Sequence, residues 1–528
     1  MILNYTIVLP TVLLLIQLLN CKTVVSSAGL EPDCKNHKTG YDSFVCVCTE
    51  SEPCAKIETP VRTAPDVVNN WFSSRDGARL RKQTLKFGEK LDSTTGNGAQ
   101  LHVKVNREIK YQEILGFGGA FTDATGINLK ALGDKLGDQV LYDYFSKDGI
   151  EYSVNRVPIG GSDFSARGYE YDNNVEDKTL ANWKLEREDY DYKIPYIKRA
   201  KELATHEIRL FGSPWSAPKW MKTNNDIAHG GTIKGDVGTE YWQIYAKYLV
   251  KYLDEYKNKH NITHWGLTVL NEPVITIRYN SMHINSTQMR DFMAKTLGPE
   301  LERSGWATGV DRGFRVMTWD WNLDSIDDYT STVYADTGAA KYIAGTAFHW
   351  YETKTYEPLD RHYSKRSDKF LLSTEACIRG GVKIGLWNSA EQYAYDILSV
   401  LLHYSIGWVD WNMVLDTQGG PNWVQNYVDA PILANPDKHE YYRQPHFYAL
   451  AQFSKFIKPG SVRVDTQVVK QEANNALVGA FRTPNNSTVV TVVNNGDTDI
   501  VFTLEDSKAG KLLNTITKKS IQTYVYYD

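Results

Sequence analysis

Eight short apolar, β-rich runs recur between residues 114 and 411, and helix-compatible stretches separate them. They lie at residues 114–120, 153–158, 208–213, 263–270, 314–318, 345–350, 370–374 and 405–411. Alternation of strands and helices indicates a parallel sheet, and eight such units close into a (β/α)8 barrel. We therefore predict an α/β fold with a TIM barrel over residues 111–458. The candidates for chemistry are the residues that end the strands, because active sites in these barrels lie there.

A second domain is predicted from the two ends of the chain. After Lys458 the helical signal stops, and strand-like runs follow at 461–465, 476–482, 488–494, 499–504 and 520–526, with turn signals such as Asn495-Gly496 between them. Residues 58–110 contain similar runs, such as 101–105. We expect residues 58–110 and 459–528 to form one all-β sandwich domain.

The N-terminus has the pattern of a secretory leader. Residues 7–19 are apolar but too few to span a bilayer comfortably, and small residues follow at 26–28. We predict a signal peptide over residues 1–28. The alternative is an uncleaved anchor, because no Lys or Arg precedes the apolar run. No later segment is apolar for long enough to cross a membrane, so no transmembrane segment is expected after signal cleavage.

Cysteine usage and sequons agree with export. Four cysteines crowd into residues 29–57, namely Cys34, Cys46, Cys48 and Cys54. We predict a small disulfide-bonded β segment with two local bridges, for which three pairings are possible. A metal knuckle is the alternative, but no His or Cys pair at zinc spacing accompanies these residues. Asn-X-Ser/Thr triplets predict glycosylation at Asn261, Asn285, Asn485 and Asn486.

Composition excludes some functional classes. The chain has 42% hydrophobic and 23% charged residues and a formal net charge of -4, which is typical of a soluble globular protein and unsuited to a nucleic-acid partner. No His and carboxylate set with metal-ligand spacing appears, so we predict no metal and no cofactor.

Two glutamates end apolar runs. Glu272 follows the fourth run in Asn271-Glu272-Pro273, and Glu375 follows the seventh. Hydrolysis of a glycoside with retention needs two carboxyl groups roughly 5–5.5 Å apart, which different strand ends of a barrel can supply. A single glutamate at a strand end is more often a salt-bridged surface residue, but a pair on strands four and seven favours catalysis. Asn271 fits a side chain that hydrogen-bonds a sugar hydroxyl.

Several motifs together make the chain resemble the glucosylceramidases of glycoside hydrolase family 30 over essentially its whole mature length. They are GFGGAFTD at 116–123, RVP at 156–158, SPWSAPKW at 213–220, NEP at 271–273, HWY at 349–351, STEAC at 373–377, WVDWN at 408–412 and GGPNW at 419–423. The chain departs from the family pattern in the loop 274–288, which is shorter and lacks a Gly-Tyr-Pro-Phe stretch, and in Asp320-Trp321, which replaces a pair of acids.

The resemblance implies roles for individual residues. Glu375 is the expected nucleophile and Glu272 the expected acid/base. The residues expected to bind the glucosyl group or the pocket rim are Asp163, Trp215, Asn271, Tyr351, Trp411 and Asn426. Arg156 is expected to keep Glu375 ionised by its positive charge, and Tyr351 to donate a hydrogen bond to it. The resemblance also implies the disulfide pairs Cys34–Cys46 and Cys48–Cys54.

The implied activity is retaining hydrolysis of glucosylceramide to glucose and ceramide through a covalent glucosyl-enzyme intermediate. The implied setting is the lysosomal lumen or the secreted state, peripheral to a membrane surface, with a saposin-type activator protein as a partner. One alternative is a related family 30 enzyme that acts on another β-glycoside, such as a β-xylosidase or an endo-acting glucanase. Another is a catalytically silent glycolipid-binding protein, against which the presence of both glutamates argues.

Overall fold

The computed structural model of the protein describes residues 34–89, 98–173, 176–309 and 312–528. The predicted signal peptide lies outside these residues. Within them, no helix has both the length and the apolar character that crossing a bilayer requires. In the first two of these ranges, five strands precede the barrel: β1 Asn36–His37, β2 Val45–Thr49, β3 Val67–Ser74, β4 Arg81–Lys86 and β5 Ala99–Glu113.

The predicted barrel is confirmed. Each of the eight apolar runs contributes one parallel strand: β6 Gly116–Gly119, β7 Val154–Ile159, β8 Arg209–Pro214, β9 Gly266–Thr268, β10 Arg315–Asn322, β11 Ile343–His349, β12 Phe370–Glu375 and β13 Ser405–Asp410. Neighbouring strands pair in the order β7 to β13 and then β6, and a bridge between Ala120 and Arg156 brings β6 to β7. A Cβ at Gly118 would lie 1.6 Å from the Val154 carbonyl oxygen, so glycine permits this close approach.

Helices cover the outside of the barrel and bury its Val-, Ile- and Leu-rich strands on both faces. In the described ranges they are α1 Asp123–Phe145, α2 Ile194–Leu203, α3 Glu240–His260, α4 Ser286–Phe292, α5 Gly298–Arg303, α6 Ile326–Tyr334, α7 Thr337–Ala340, α8 Glu357–Lys365, α9 Trp387–Leu402 and α10 Pro445–Ser454. Thr122 caps α1 by accepting a hydrogen bond from the Thr125 backbone N–H at 3.1 Å. The helix α3 ends at Asn261, which is exposed and in the left-handed conformation.

The N-terminal segment adds two strands to a small sheet beside the barrel mouth. The sheet is completed by β14 Val414–Asp416, β15 Ile432–Asn435 and β16 Glu440–Arg443, in the order β1-β2-β16-β15-β14. The bridges Cys34–Cys46 and Cys48–Cys54 are present, as the resemblance implied. Cys46 and Cys48 both lie on β2, opposite β16, so the bridges hold the chain end against strands that follow the last barrel strand.

The sandwich domain combines strands from both ends of the chain. Its C-terminal strands are β17 Val462–Gln471, β18 Ala476–Arg482, β19 Ser487–Asn494, β20 Ile500–Asp506, β21 Gly510–Ile516 and β22 Ser520–Tyr527. In the part of the chain that the structure describes, they join β3, β4 and β5 in the order β21-β20-β5-β17-β18-β19-β22-β3-β4. Alternate side chains of these strands form a hydrophobic core separate from that of the barrel. The predicted β-sandwich is therefore confirmed, with β21 as an additional strand.

Candidate active site

Side chains inside the barrel change from apolar to polar towards the C-terminal ends of the strands. One layer consists of Val154, Phe211, Met317, Ala347, Leu372 and Val409. Successive side chains on a strand alternate between faces, so the next inward position lies two residues further on. On five of these six strands that position holds Arg156, Ser213, His349, Thr374 and Trp411. The apolar layer closes the barrel from below, and the polar layer above it forms the floor of a cavity.

The two predicted catalytic carboxylates meet above this floor. A carboxylate oxygen of Glu272 and one of Glu375 lie within 4.8 Å of each other, and both side chains are buried. Glu375 is the last residue of β12. Glu272 lies beyond β9 in a left-handed conformation with φ of 47°, and its backbone N–H donates to the Asp320 carbonyl oxygen at 3.0 Å. Carboxyl groups this close suit a retaining glycosidase, whereas inverting enzymes hold theirs roughly 6.5–9.5 Å apart.

Arg156, fully buried on β7, connects the nucleophile candidate to its surroundings. Its guanidinium donates to Glu375 Oε2, to Asn271 Oδ1 at 2.7 Å and to Asp320 Oδ2 at 2.8 Å, and its Nε donates to Ser213 Oγ at 2.9 Å. A planar guanidinium can satisfy several oxygens at once. These bonds fix the position of the Glu375 carboxyl group and place a positive charge directly beside it.

Glu272 has a different environment. Burial raises the pKa of Glu272, the hydrogen bond with His349 lowers it, and the charge of Glu375 raises it again, with a net result above the ordinary value. His349 Nδ1 lies 3.3 Å from Glu272 Oε1, and Nε2 lies 3.2 Å from Asp320 Oδ1. The two carboxyl groups therefore have different surroundings: Glu272 contacts a histidine, whereas Glu375 contacts an arginine and a tyrosine.

His349 lies between two carboxyl groups and carries a proton. Burial lowers its pKa, but the negative charge of Glu375 and the hydrogen bonds with Asp320 and Glu272 raise it more, to about 9. Within the described residues, Glu272, His349 and Glu375 are the one group of donor atoms compact enough to hold a metal ion. Because its pKa is raised to about 9, His349 would have to release a proton before a ring nitrogen could bind a metal ion.

Asp320 connects Arg156, which contacts Glu375, with His349, which contacts Glu272. It accepts hydrogen bonds from Arg156, from Thr268 Oγ1 at 2.7 Å and from Thr374 Oγ1 at 2.6 Å. Burial raises its pKa, but Arg156 and His349 outweigh this effect and hold the pKa far below its usual range. Sequence reasoning missed this role and recorded Asp320 only as a departure from the family pattern. A carboxylate two residues beyond the fifth apolar run was the signal that could have found it.

The nucleophile candidate has a second hydrogen-bond donor. The Tyr351 hydroxyl donates to Glu375 Oε1 at 3.0 Å and lies 3.2 Å from the sulfur of Cys377. Cys377 is buried and carries a free thiol, and burial raises its pKa well above the ordinary value. The thiol is therefore neutral and does not compete with Glu375 as a nucleophile.

Opposite the carboxylates, the loop after β7 brings Asp163 to the loop that follows β14. Asp163 Oδ2 accepts hydrogen bonds from Asn426 Nδ2 at 3.0 Å and Asn422 Nδ2 at 3.2 Å. Burial raises the pKa of Asp163 to about 7, although these two bonds lower it. The rings of Trp215 and Trp411 stack with centroids 5.1 Å apart. Hydrogen-bond acceptors beside flat apolar faces are what a pyranose ring binds.

These groups surround one cavity of about 320 Å³. The predicted site residues that line it are Asp163, Trp215, Asn271, Glu272, Tyr351, Glu375, Trp411 and Asn426. The ninth, Arg156, lies below it in contact with Glu375. The cavity is also lined by residues that were not predicted to belong to the site, such as Tyr279 and Trp321. The four predicted glycosylation asparagines lie elsewhere on the surface and are exposed, and their modification stays a prediction.

Comparison with known proteins identifies the family. The family model described as "Glycosyl hydrolase family 30 TIM-barrel domain" matches residues 114–457, and the "Glycosyl hydrolase family 30 beta sandwich domain" matches residues 460–524. The lysosomal acid glucosylceramidase of Mus musculus is 35% identical over 510 residues, covering 94% of this chain and 96% of that protein.

Solved structures agree with this result. SrfJ from Salmonella typhimurium superimposes with a TM-score of 0.79 at 26% identity, covering 88% of this chain and 100% of that one. The endo-β1,6-glucanase BT3312 superimposes with a TM-score of 0.76 at 26% identity, covering 87% of this chain and 99% of that one. Sequence, fold and the paired carboxylates lead to the same conclusion: this chain is a glycoside hydrolase and belongs to glycosyl hydrolase family 30.

Proposed function

We propose that this enzyme is a retaining β-glucosidase that hydrolyses glucosylceramide to glucose and ceramide, with Glu375 as the nucleophile and Glu272 as the acid/base. The observation that carries the proposal is the separation of the two carboxylates, whose nearest oxygens lie within 4.8 Å. That distance leaves no room for a water molecule to attack from the opposite face of the sugar, as inversion requires.

The first step uses the difference between the two glutamates. Glu375, held by Arg156 and Tyr351, attacks the anomeric carbon. Glu272, whose pKa burial raises, gives its proton to the glycosidic oxygen, and the aglycone leaves. The bond from the anomeric carbon to the glycosidic oxygen breaks as the bond to Glu375 forms, which gives the covalent glucosyl-enzyme.

The second step reverses the role of Glu272. Once Glu375 is esterified its negative charge is gone, and the pKa of Glu272 falls because that charge had raised it. Glu272 then takes a proton from a water molecule as the oxygen attacks the anomeric carbon. Glucose leaves with its original configuration, and Glu375 is again a carboxylate. Asn271, held by Arg156, is placed to bond the sugar hydroxyl next to the reacting carbon.

The substrate and the location follow from the relatives. The mouse relative is named as a lysosomal acid glucosylceramidase, which supports glucosylceramide as substrate and the lysosomal lumen or the secreted state as location. Such a substrate sits in a membrane, so we infer peripheral contact with a lipid surface and assistance by a saposin-type activator. The second candidate is another β-glycoside, which the structural match to an endo-β1,6-glucanase favours.

The test combines turnover with trapping of the nucleophile. A fluorogenic β-glucoside is assayed between pH 4 and pH 7, and an epoxide-bearing cyclitol mimic of β-glucose is added before peptide mapping. We expect label on Glu375 and a maximum rate at acidic pH. Glu272 acts as an acid only when protonated, so activity is present below its raised pKa and is lost as the pH rises through it.

Label on another residue, or a rate that peaks above neutrality, would contradict the proposed mechanism. Glu375→Gln is the matched control, since it keeps the shape of the side chain and should remain unlabelled. Glucosylceramide and a β-1,6-linked glucan are then compared by kcat/KM. A higher value for the glucan would favour the second candidate over the first.

A further inference from the structure

The cavity has two chemically different sides. Asp163, Trp215, Trp411 and Asn426 lie on the side that receives the glucosyl group. A leaving group must lie on the side of the acid/base that protonates it, next to Glu272. Of the residues that line the cavity, Ile275, Ile277, Arg278 and Tyr279 follow Glu272 in the chain, and Trp321 and Asn322 follow its backbone partner Asp320 at the end of β10. The surroundings of Glu272 therefore combine apolar side chains with an indole and polar groups.

Trp321 lies one side chain away from Glu272, with His349 between them. Its indole ring lies 6.3 Å from the His349 ring, edge to face, and His349 contacts Glu272. The preceding residue, Asp320, accepts the hydrogen bond from the Glu272 backbone N–H. Trp321 is only partly buried and lines the cavity, so one part of the indole remains available to a ligand.

The backbone before Trp321 is strained in a way that directs this side chain. Trp319 and Asp320 both have left-handed conformations, with φ of 77° and 61°, which is unfavourable for residues with a side chain. The pairing of β10 with β11 shifts register between Trp319 and Trp321. As a result Asp320 points to Arg156 and His349, while Trp321 lines the cavity. Strain of this kind persists where the surrounding structure enforces it, often at ligand sites.

Asn322 adds a polar group beside the indole. It lines the same cavity and is 7% exposed, and its Oδ1 has no hydrogen-bond partner among the described residues. A buried amide oxygen without a partner is unfavourable. The terminal torsion of an asparagine side chain is broad, so the amide can turn to present either its oxygen or its nitrogen to a ligand.

We propose that Trp321 and Asn322 form an aglycone-binding subsite that selects the leaving group. Trp321 packs against a C–H-rich face next to the glycosidic oxygen, and Asn322 hydrogen-bonds a hydroxyl or amide group of the same leaving group. The proposal rests on the proposed function, because it assumes that Glu272 protonates the leaving group. Both the first carbons of ceramide, with their amide and hydroxyl, and a second sugar ring have this chemistry.

The test uses ligands with and without an aglycone. Wild type, Trp321→Ala, Trp321→Phe and Asn322→Leu are assayed with glucosylceramide, gentiobiose and octyl β-glucoside, and their labelling by the epoxide cyclitol, which has no aglycone, is timed. We expect Trp321→Ala to lower kcat/KM for glucosylceramide about tenfold more than it lowers the labelling rate, and Trp321→Phe to lose less. Asn322→Leu should lower kcat/KM about fivefold for glucosylceramide and gentiobiose, whose leaving groups carry a hydroxyl or amide group, and less for octyl β-glucoside, whose leaving group has an alkyl chain.

Trp321→Ala will lower kcat/KM more for one of the two substrates. A larger decrease for glucosylceramide identifies ceramide as the leaving group that the subsite binds, and a larger decrease for gentiobiose identifies a second sugar ring. Equal losses on substrate and on label would overturn the proposal, because Trp321 would then act through His349 and Glu272. No loss on any substrate would also overturn it. Wild-type enzyme that the cyclitol fails to label would instead refute the proposed function. Tyr190→Ala is the matched control, since Tyr190 is a partly exposed aromatic residue that does not line the cavity.

Discussion

His349 gives the folded protein a pH-dependent stability that can be worked from the structure. Its pKa is about 9 in the folded protein, against 6.5 for the ordinary side chain. At 1.36 kcal/mol per pH unit, this difference corresponds to about 3 kcal/mol of stability from the proton. Because the folded pKa is the higher one, the stabilisation is fully present below pH 6.5 and is lost as the pH rises through 9. At pH 7.5 about 2 kcal/mol remains.

The perturbation is His349→Gln, which keeps a hydrogen-bonding side chain but removes the charge. Unfolding by urea is measured at pH 5.5, 7.5 and 9.5 with the disulfides intact. The substitution should lower the free energy of unfolding at both pH values, and we expect this decrease to be about 3 kcal/mol larger at pH 5.5 than at pH 9.5. A difference that is constant with pH, or that grows as the pH rises, would refute the reasoning.

His264→Gln is the control with the opposite sign. His264 is buried beside Tyr252, and burial lowers its pKa to about 3. The unfolded chain therefore takes up a proton below pH 6.5 that the folded protein does not. The stability that neutral His264 contributes is present above pH 6.5 and is lost as the pH falls. At pH 5.5 the loss amounts to about 1 kcal/mol of the free energy of unfolding. Removing it should make the protein relatively more stable in acid.

Two further predictions concern the carboxylates. Glu375→Gln should abolish turnover on every substrate. Glu272→Gln should retain activity on a dinitrophenyl β-glucoside, whose leaving group needs no proton, but its kcat on glucosylceramide should fall by a factor of about 10²–10⁴. Full activity of either variant would contradict the assignment. Arg156→Met should cost about 3–5 kcal/mol, because Glu375 and Asp320 lose their shared buried cation. Arg156→Lys should stay folded but lose at least about 100-fold in kcat, because an ammonium group lacks the planar fork of a guanidinium. Thermal unfolding measures the effect on stability, and single-turnover rates measure the effect on catalysis. An Arg156→Met variant as stable as wild type would refute the predicted loss of stability.

The barrel and most of the site could be predicted because strand ends are visible in the sequence. Glu375 directly follows Phe370–Thr374, an apolar run that has to be a strand, and its side chain then falls at the barrel mouth. Glu272 was found by the same argument, although the regular strand β9 ends earlier, at Thr268. The positions of Trp215 and Asn426 came from the resemblance, because their loops have no periodic pattern.

The end of β10 could not be predicted from the pattern. The run was expected to stop at Thr318, but the strand continues to Asn322 through two residues with positive φ. Neither Trp319 nor Asp320 is a residue type that indicates a left-handed conformation as glycine does. The interactions that enforce this backbone are tertiary, namely those of Asp320 with Arg156 and His349, and no local pattern contains them.

The sandwich was predicted less completely for a related reason. The strand β21 was missed because polar residues interrupt Gly510–Ile516, where only alternate side chains are buried. Two adjacent asparagines on β3, Asn69 and Asn70, are buried, and their side-chain oxygens accept hydrogen bonds from side chains of β4. The neighbouring strand satisfies these oxygens, which sequence alone does not show.

The sandwich draws strands from both sides of the barrel, and this arrangement constrains how the protein is made. β5 ends at Glu113 and its partner β17 begins at Val462, so about 350 residues of chain separate two adjacent strands. At 5–20 residues per second, the ribosome needs on the order of half a minute to supply the partner.

During that time β5 has neither of its partner strands, and β3 and β4 can pair only with each other, while the barrel is still being synthesised. We expect chaperones that hold extended, apolar segments to bind these strands until their partners arrive. A premature stop between β13 and β17 leaves all eight barrel strands attached to β5, whose partner strands β17 and β20 are then missing. We expect such truncated copies to be recognised by this unpaired strand and not by a defect in the barrel.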